Sequence, residues 1–357
     1  MRGHSRLPES RRWLLGVALA VTCFLPRASV RAEGRDANEI AEDVAETQPV
    51  IFGPIPLRSL AGLSLIFYQP AAERAATLAR GRWRLSTNFN YAAIEDDGGN
   101  DDASVNLDGE ILGWEVRADY GVTDRVEVSL TIPTYYTTGG FLDGVIEGFH
   151  DLTGLGRSSE EHRNQWNQEI VVDGKTLFDP GGNEFGLADI AVQLKGGILT
   201  EGKYPLGLSA RVGLELPTGR ESRDFGSGGF DLGLGLLVEK NFARIGLFGG
   251  FDYLLYQRPS DFRRAGASLE DFLYATSWGA EYRPGDWWAI HAQVDVLGNF
   301  IRGTGVSQLD EAQIIGSLGL SFAISDHLRW RLAVSEDFSL AATADIAFFS
   351  GLSWEIP

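Results

Sequence analysis

A single cysteine, Cys23, stands among 357 residues, and it lies in an apolar leader. Without that leader the chain has no thiol, which excludes disulfides, thiolate metal centres and cysteine nucleophiles. Beyond the N-terminus there is also no unbroken apolar run of the about 20 residues that a membrane-spanning helix requires. Basic charge is scarce: 31 Lys and Arg stand against 49 Asp and Glu, a net charge of −18. So acidic a surface argues against nucleic acid as a partner and against a polybasic membrane-surface protein. What the chain has in plenty is Gly (44), Phe (20), Tyr (10) and Trp (9). Aromatic richness without long apolar runs suits strands in which apolar and polar residues alternate.

Arg2, Arg6, Arg11 and Arg12 precede an apolar run, Trp13 to Leu25, that ends at Pro26. The run is too short to span a bilayer, and Val30-Arg31-Ala32 offers small residues at the cleavage-determining positions. Residues 1–32 therefore read as a secretory signal peptide cleaved after Ala32. Ser10 to Leu15 resembles a twin-arginine signal, but that route exports folded proteins, and a lipid-facing barrel cannot fold in the cytoplasm. Cys23 follows Thr22, where a lipobox carries Gly, Ala or Ser. The leader holds six arginines and one glutamate, so its loss moves the net charge to −23. Residues 33–49 are polar, acidic and aperiodic, as disordered segments are. Residues 50–80 join a Pro-punctuated apolar stretch to an Ala-rich turn, and form either a periplasmic cap or a plug in a barrel mouth.

From Gly81 alternation takes over, and residues 81–357 read as one barrel domain. Trp83, Leu85, Thr87, Phe89 and Tyr91 alternate with Arg82, Arg84, Ser86, Asn88 and Asn90. Successive strand side chains point to opposite faces, so one face is fit for lipid and the other for water. The pattern recurs through Trp114–Tyr120, Val126–Ile132, Ile190–Leu194, Leu206–Leu216, Phe230–Val238, Ile245–Leu255 and Tyr274–Tyr282. It continues through Trp288–Val296, Ile314–Ile324, Leu328–Val334 and Ile346–Ile356. This amounts to about twelve strands of roughly ten residues, the length that crosses hydrocarbon at a tilt. Short turns, such as Arg283-Pro284-Gly285-Asp286 and Ser325-Asp326-His327, alternate with long connections at about 94–104, 138–186, 217–229, 258–271 and 298–310. Tyr135, Tyr136, Tyr253, Tyr256, Trp287, Trp288 and Trp354 fall near strand ends, as an interfacial girdle requires. The fold class is all-β: a transmembrane antiparallel up-and-down barrel with both ends periplasmic. Gly351-Leu352-Ser353-Trp354-Glu355-Ile356 resembles the terminal strand that barrel-assembly machinery recognises, but ends on Pro357 instead of an aromatic.

Three stretches resemble an outer-membrane family catalogued only as a domain of unknown function. They are Gly53-Pro54-Ile55-Pro56-Leu57-Arg58, the pair Leu107–Glu110 with Tyr120–Arg125, and the more specific run Gly140–His150. Ser59 departs from the Asn usual in that family after the arginine. The resemblance covers nearly all of the chain beyond the leader. It implies a bacterial outer-membrane location and a barrel architecture, and brings no activity.

Candidate site residues come from breaks in the pattern. Phe141, Leu142, Val145, Ile146 and Phe149 have helical spacing, which predicts a short helix over 141–150 in the longest external loop. Asp143, Glu147 and His150 then share the opposite face, with Asp151 adjacent. Two carboxylates and an imidazole there could bind a metal or move protons. The simpler expectation is a solvated face paired with Arg157 and Arg163, since Gly144 and Gly148 weaken the helix. The acidic run Glu95 to Asp102 lacks the ligand order of an EF-hand, and Gly174-Lys175-Thr176 lacks the first Gly of a phosphate loop, Glu169 standing in its place. His291 shares an inward face with Gln293 and Asp295, but spacing places no serine to complete a hydrolytic triad. The inward positions carry both signs: Arg82, Arg84, Glu115, Arg117, Glu127, Lys195, Arg211, Glu215, Asp252, Glu281, Asp295, Arg329 and Arg331. Such charges either line a water path or cross-pair and close it.

The sequence thus favours a channel or uptake pore for small solutes over its alternatives, a lipid-active hydrolase or a structural surface barrel. No cofactor is expected. The expected partners are outer-membrane lipids and lipopolysaccharide, barrel-assembly machinery and a small solute of unspecified chemistry.

Overall fold

The period-two pattern becomes strands because an alternating segment can present apolar side chains to lipid only by pairing its backbone on both sides. The computed structural model describes residues 50–140, 166–219, 224–259, 262, 268, 270 and 272–356. The leader expected at 1–32 and the helix expected at 141–150 lie outside these residues. The described residues form fifteen strands in chain order. The first six are β1 (Trp83–Gly99), β2 (Ala103–Thr123), β3 (Val126–Thr138), β4 (Asn167–Val172), β5 (Lys175–Phe178) and β6 (Phe185–Leu187). Next come β7 (Ile190–Leu199), β8 (Gly207–Leu216), β9 (Asp231–Asn241), β10 (Ile245–Tyr256) and β11 (Leu273–Tyr282). The last four are β12 (Trp288–Leu297), β13 (Gln313–Ala323), β14 (Leu328–Asp337) and β15 (Ile346–Ile356).

Twelve of them, β1 to β3 and β7 to β15, form a closed antiparallel ring in which each strand pairs with its neighbours. The seam is β1 against β15, in register from Trp83 opposite Ile356 to Ala93 opposite Ile346. Closure leaves no unpaired edge, which is what lipid demands of a sheet. The burial pattern is that of a membrane barrel. Outward Leu194, Leu236, Trp278 and Leu318 are 50–64 % exposed, whereas inward Glu127, Lys195, Ser209 and Glu281 are at most 1 % exposed. A soluble protein shows the reverse. The expected register holds: Val192 and Leu234 point outward, and Gln193 points inward and is buried.

Two of the expected long loops contain strand. The connection expected at 94–104 shrinks to Asn100–Asp102, because β1 and β2 run to 17 and 21 residues and stay paired from Glu95 opposite Asp108 to Gly99 opposite Ser104. Within the stretch expected as a loop at 138–186 lie β4, β5 and β6. β4 covers the free edge of upper β2, from Ala103 opposite Val172 to Asp108 opposite Asn167, and β6 pairs with upper β3. The physical reason is a change of phase at the membrane boundary. Inside the membrane the inward side chains are polar (Glu115, Asp119), but beyond it they are apolar: Ile94, Val105 and Leu107 are buried while Asp97, Ser104 and Asn106 face out. Outside lipid the strands follow the ordinary rule for water, and the alternation continues with its meaning inverted. The expected girdle is also corrected: Tyr135 is buried and Tyr256 donates inward to the Tyr68 carbonyl at 2.9 Å. Both lie where the inward face has turned apolar. Tyr136, Trp287 and Trp354 are exposed and outward.

Residues 50–82 do not join the wall; they run up and down inside it. Phe52 lies beside Glu281 at the short-turn end of β11, Ile55 beside Gln293 of β12, and Ser64 beside Gln313 at the long-loop end of β13. A 3-10 turn, Gly62–Leu65, stands at the apex. The return leg passes Tyr68 beside Asp231, Glu73 beside Arg211 and Leu78 beside Glu127, which is again at the short-turn end. There Gly81 donates to the Gly121 carbonyl at 2.8 Å and Gly121 to that of Arg82 at 3.0 Å, and β1 begins. The apex packs in an apolar core under the long-loop end, where Phe67 stacks on Phe300 at 4.9 Å within a cluster that includes Leu60, Leu107, Ile170, Phe178 and Leu254.

The register has a direct consequence. Leu234→Arg or Val192→Arg should cost about 2–4 kcal/mol of barrel stability at mid-membrane depth. Asp326→Arg, in a short turn, should cost nothing measurable. Urea unfolding in lipid vesicles checks this, and equal costs at the three positions would refute the assigned faces.

Candidate functional site: the lumen

The two inner legs are neither helix nor strand, so their backbone N–H and C=O groups need partners from the wall. The inward side chains supply them. Glu281 accepts from the amides of Phe52 (3.2 Å) and Gly53 (2.9 Å). Gln293 accepts from Ile55 N–H and donates to its carbonyl, both at 2.9 Å, as a neighbouring strand would. Arg331 donates to the Phe52 carbonyl at 2.6 Å and Arg211 to that of Ala71 at 2.7 Å. Glu239 and Glu127 accept from the amides of Ala76 (3.3 Å) and Leu78 (2.7 Å).

Charge pairs reinforce this frame. Arg58 meets Glu115 at 2.9 Å, and Arg74 meets Glu239 at 2.9 Å. The centre is Glu73 on the return leg. Its carboxylate lies 3.1 Å from Lys195 Nζ, 3.1 Å from Arg117 and 2.8 Å from Arg211, and accepts from Gln193 at 2.6 Å. The same cations are held from the wall side: Lys195 by Glu127 at 3.0 Å, Arg117 by Asp119 at 2.6 Å, and Arg211 by Asp252 through two hydrogen bonds of 2.8 and 2.6 Å. Three cations around one buried carboxylate offset the cost of taking its charge out of water. Higher in the lumen, the facing glycines Gly213 and Gly233 make a niche for the Tyr68 ring, and a methyl group on Gly213 would collide with the phenol oxygen.

The legs fill the lumen unevenly. On the side of β10 to β15 a cavity of about 60 Å³ remains between them and the wall, lined among others by Arg58, Gln69, Asp252, Asp295, Ser335 and Thr343.

Of the site residues expected from sequence, Asp143, Glu147, His150, Asp151, Arg157 and Arg163 lie outside the described residues. His291 is buried and inward on β12, edge-on to the Phe52 ring at 6.4 Å, and its Nε2 has no hydrogen-bond partner among the described residues. Among those residues no serine or carboxylate engages it as a hydrolytic triad would. The acidic run beginning at Glu95 does not converge, because Asp96 and Asp97 fall on opposite faces of β1. The inward charges read from alternation, by contrast, do meet: Arg117, Glu127, Lys195, Arg211 and Asp252 surround one carboxylate. The residue that alternation missed is that carboxylate. Glu73 and Arg74 carried a detectable signal, a charged pair in an otherwise small and apolar stretch, but no period placed them.

The Glu73 network makes a direct prediction. Glu73→Gln should cost about 3–5 kcal/mol, since it takes a charged partner from each of the buried cations Lys195, Arg117 and Arg211, as measured by urea unfolding in vesicles.

A family model described as "Protein of unknown function (DUF3187)" matches residues 44–356. No curated protein matches the chain. Among solved structures, an outer membrane channel from Pseudomonas putida F1 is similar with a TM-score of 0.53 at 14 % identity, over 79 % of this chain and 98 % of that one. The KdgM porin gives 0.38 at 8 % identity, over 76 % and 99 % of the two chains. The P. putida toluene transporter TodX gives 0.35 at 10 %, over 78 % and 90 %. The fold is a porin-like outer-membrane β-barrel.

Proposed function

The chain belongs to the DUF3187 family, a family of unknown function, and from the geometry of its lumen we propose that it is a small-solute channel closed at rest by its own N-terminal hairpin. The carrying observation is the way residues 50–80 are held. They thread the lumen in both directions, yet they are fastened by side-chain hydrogen bonds and ion pairs instead of continuous strand pairing. Such contacts can be broken one leg at a time while the ring of strands stays intact, because none of the barrel's own ladder bonds is involved. A purely structural barrel has no need of a charge-lined interior or of a removable filling. The described residues bring no catalytic set together, and His291 lacks the partners of a general base.

The leader fits this reading. Cleavage after Ala32 would leave residues 33–49 ahead of the ascending leg, whose first described residues lie at the short-turn end, taken as periplasmic. The barrel wall would meet outer-membrane lipid and lipopolysaccharide, and β15 would be the strand engaged by barrel-assembly machinery. Protein extracted from the outer membrane should begin at Glu33, which N-terminal sequencing checks.

Deleting residues 50–79 should raise single-channel conductance in planar bilayers several-fold, and Glu73→Gln should produce intermittent openings of similar size. Unchanged conductance in a correctly folded deletion variant would refute the hairpin as the closing element.

A further inference from the structure

The cavity beside β10 to β15 is a part of the lumen that the hairpin leaves open, and its lining is chemically lopsided. Three of its charges are neutralised inside the protein. Arg58 is paired with Glu115 at 2.9 Å, and Arg211, itself part of the lining, grips Asp252 through two hydrogen bonds. Asp295, half-buried on β12, is different. It receives only neutral donors, the Gln293 amide at 3.1 and 2.8 Å and the Ser277 hydroxyl, and no lysine or arginine of the described residues pairs with it. Two further oxygens in the lining are orphaned: Ser59 Oγ on the ascending leg and Thr343 Oγ1 before β15, in residues 6 % and 3 % exposed, have no hydrogen-bond partner among the described residues. Buried hydroxyls in native proteins are nearly always satisfied, so such a pair at one cavity marks a place for a ligand or ordered water. The rest of the lining includes Leu57, Pro70, Val296 and Ala347, which give a hydrated inorganic ion nothing to bind.

We propose that this cavity binds a small organic cation, a protonated primary amine on a short apolar body. The ammonium group has three donors and no acceptor. Asp295 supplies the counter-charge, and the Ser59 and Thr343 oxygens accept the remaining protons, while Leu57, Pro70 and Val296 cover the carbon chain. This rests on the lumen being a closed solute path, for which the cavity is a station between the hairpin and the wall.

Calorimetry on the detergent-solubilised full barrel with propylamine, 1-propanol and propionate at neutral pH tests it. Propylammonium should bind at least about tenfold more tightly than either isostere, as a charge-assisted hydrogen bond implies. Asp295→Asn should abolish that preference, and Thr343→Val should weaken binding several-fold while keeping it; heat-dependent gel migration establishes that both variants are folded. Equal affinity for 1-propanol, unaltered binding by Asp295→Asn, or no propylammonium binding overturns the proposal. Flux into vesicles separates the two readings. Binding without flux refutes the channel and leaves this site standing. Equal flux of propylamine and 1-propanol with no amine binding refutes the site and leaves the channel.

Discussion

Hydrocarbon cannot form hydrogen bonds, and that one property organises the molecule. Every backbone group at membrane depth must find its partner within the protein, so the sheet closes with β1 against β15 and no edge remains. The charged side chains at that depth, such as Glu115, Lys195 and Arg211, then face inward, where each displaces water and needs a partner of its own. The wall gives each of Lys195, Arg117 and Arg211 one carboxylate, from Glu127, Asp119 and Asp252, and leaves the three cations turned towards a common point in the lumen. Glu73, brought in on a segment that is not part of the wall, resolves this by facing all three. The filling of the lumen is thus a consequence of the closure, since a ring that turns its charges inward asks for a polar occupant.

The attachment of that occupant combines strength with reversibility. Each ion pair in the network has partners on both sides, so no charge is buried alone, and its cooperative character makes partial loss costly. Yet the ladder of the barrel is untouched by it. Gln293 shows the principle on a small scale, since one side-chain amide stands in for the two backbone hydrogen bonds of a strand without extending the sheet. At the apex the physics changes to apolar packing. Phe67, Phe300 and Tyr256 stack in a core sealed by β4 and β5 and by the upper parts of β1 and β2.

The inversion of phase along β1 and β2 links these two regimes. A strand that keeps its register through the membrane boundary carries the same inward face from a charged lumen into an apolar cap. Its side chains must therefore change character without changing period. Glu115 and Ile111 lie on the same face of β2, four residues apart, one buried against Arg58 and the other in the cap. Boundaries set by solvent, and not by backbone, are invisible to a search for periodicity.

What the sequence by itself determined is everything that depends on local alternation. Twelve strands, their inward and outward faces at Val192, Gln193 and Leu234, the short turns and the mixed charge of the lumen follow from a two-residue period, because adjacent strand side chains have no choice but to point oppositely. Only the tertiary structure decided what lies inside the ring. Residues 50–80 have no period, so cap and plug were equally open to them, and their place was settled in large part by partners more than a hundred residues away, from Gln193 to Arg331, which meet only once the barrel has closed. The lengths of β1 and β2 were decided in the same way, by the arrival of β4 at an edge that would otherwise have ended in water. Local pattern fixes which way a side chain faces; what it faces is a property of the closed ring.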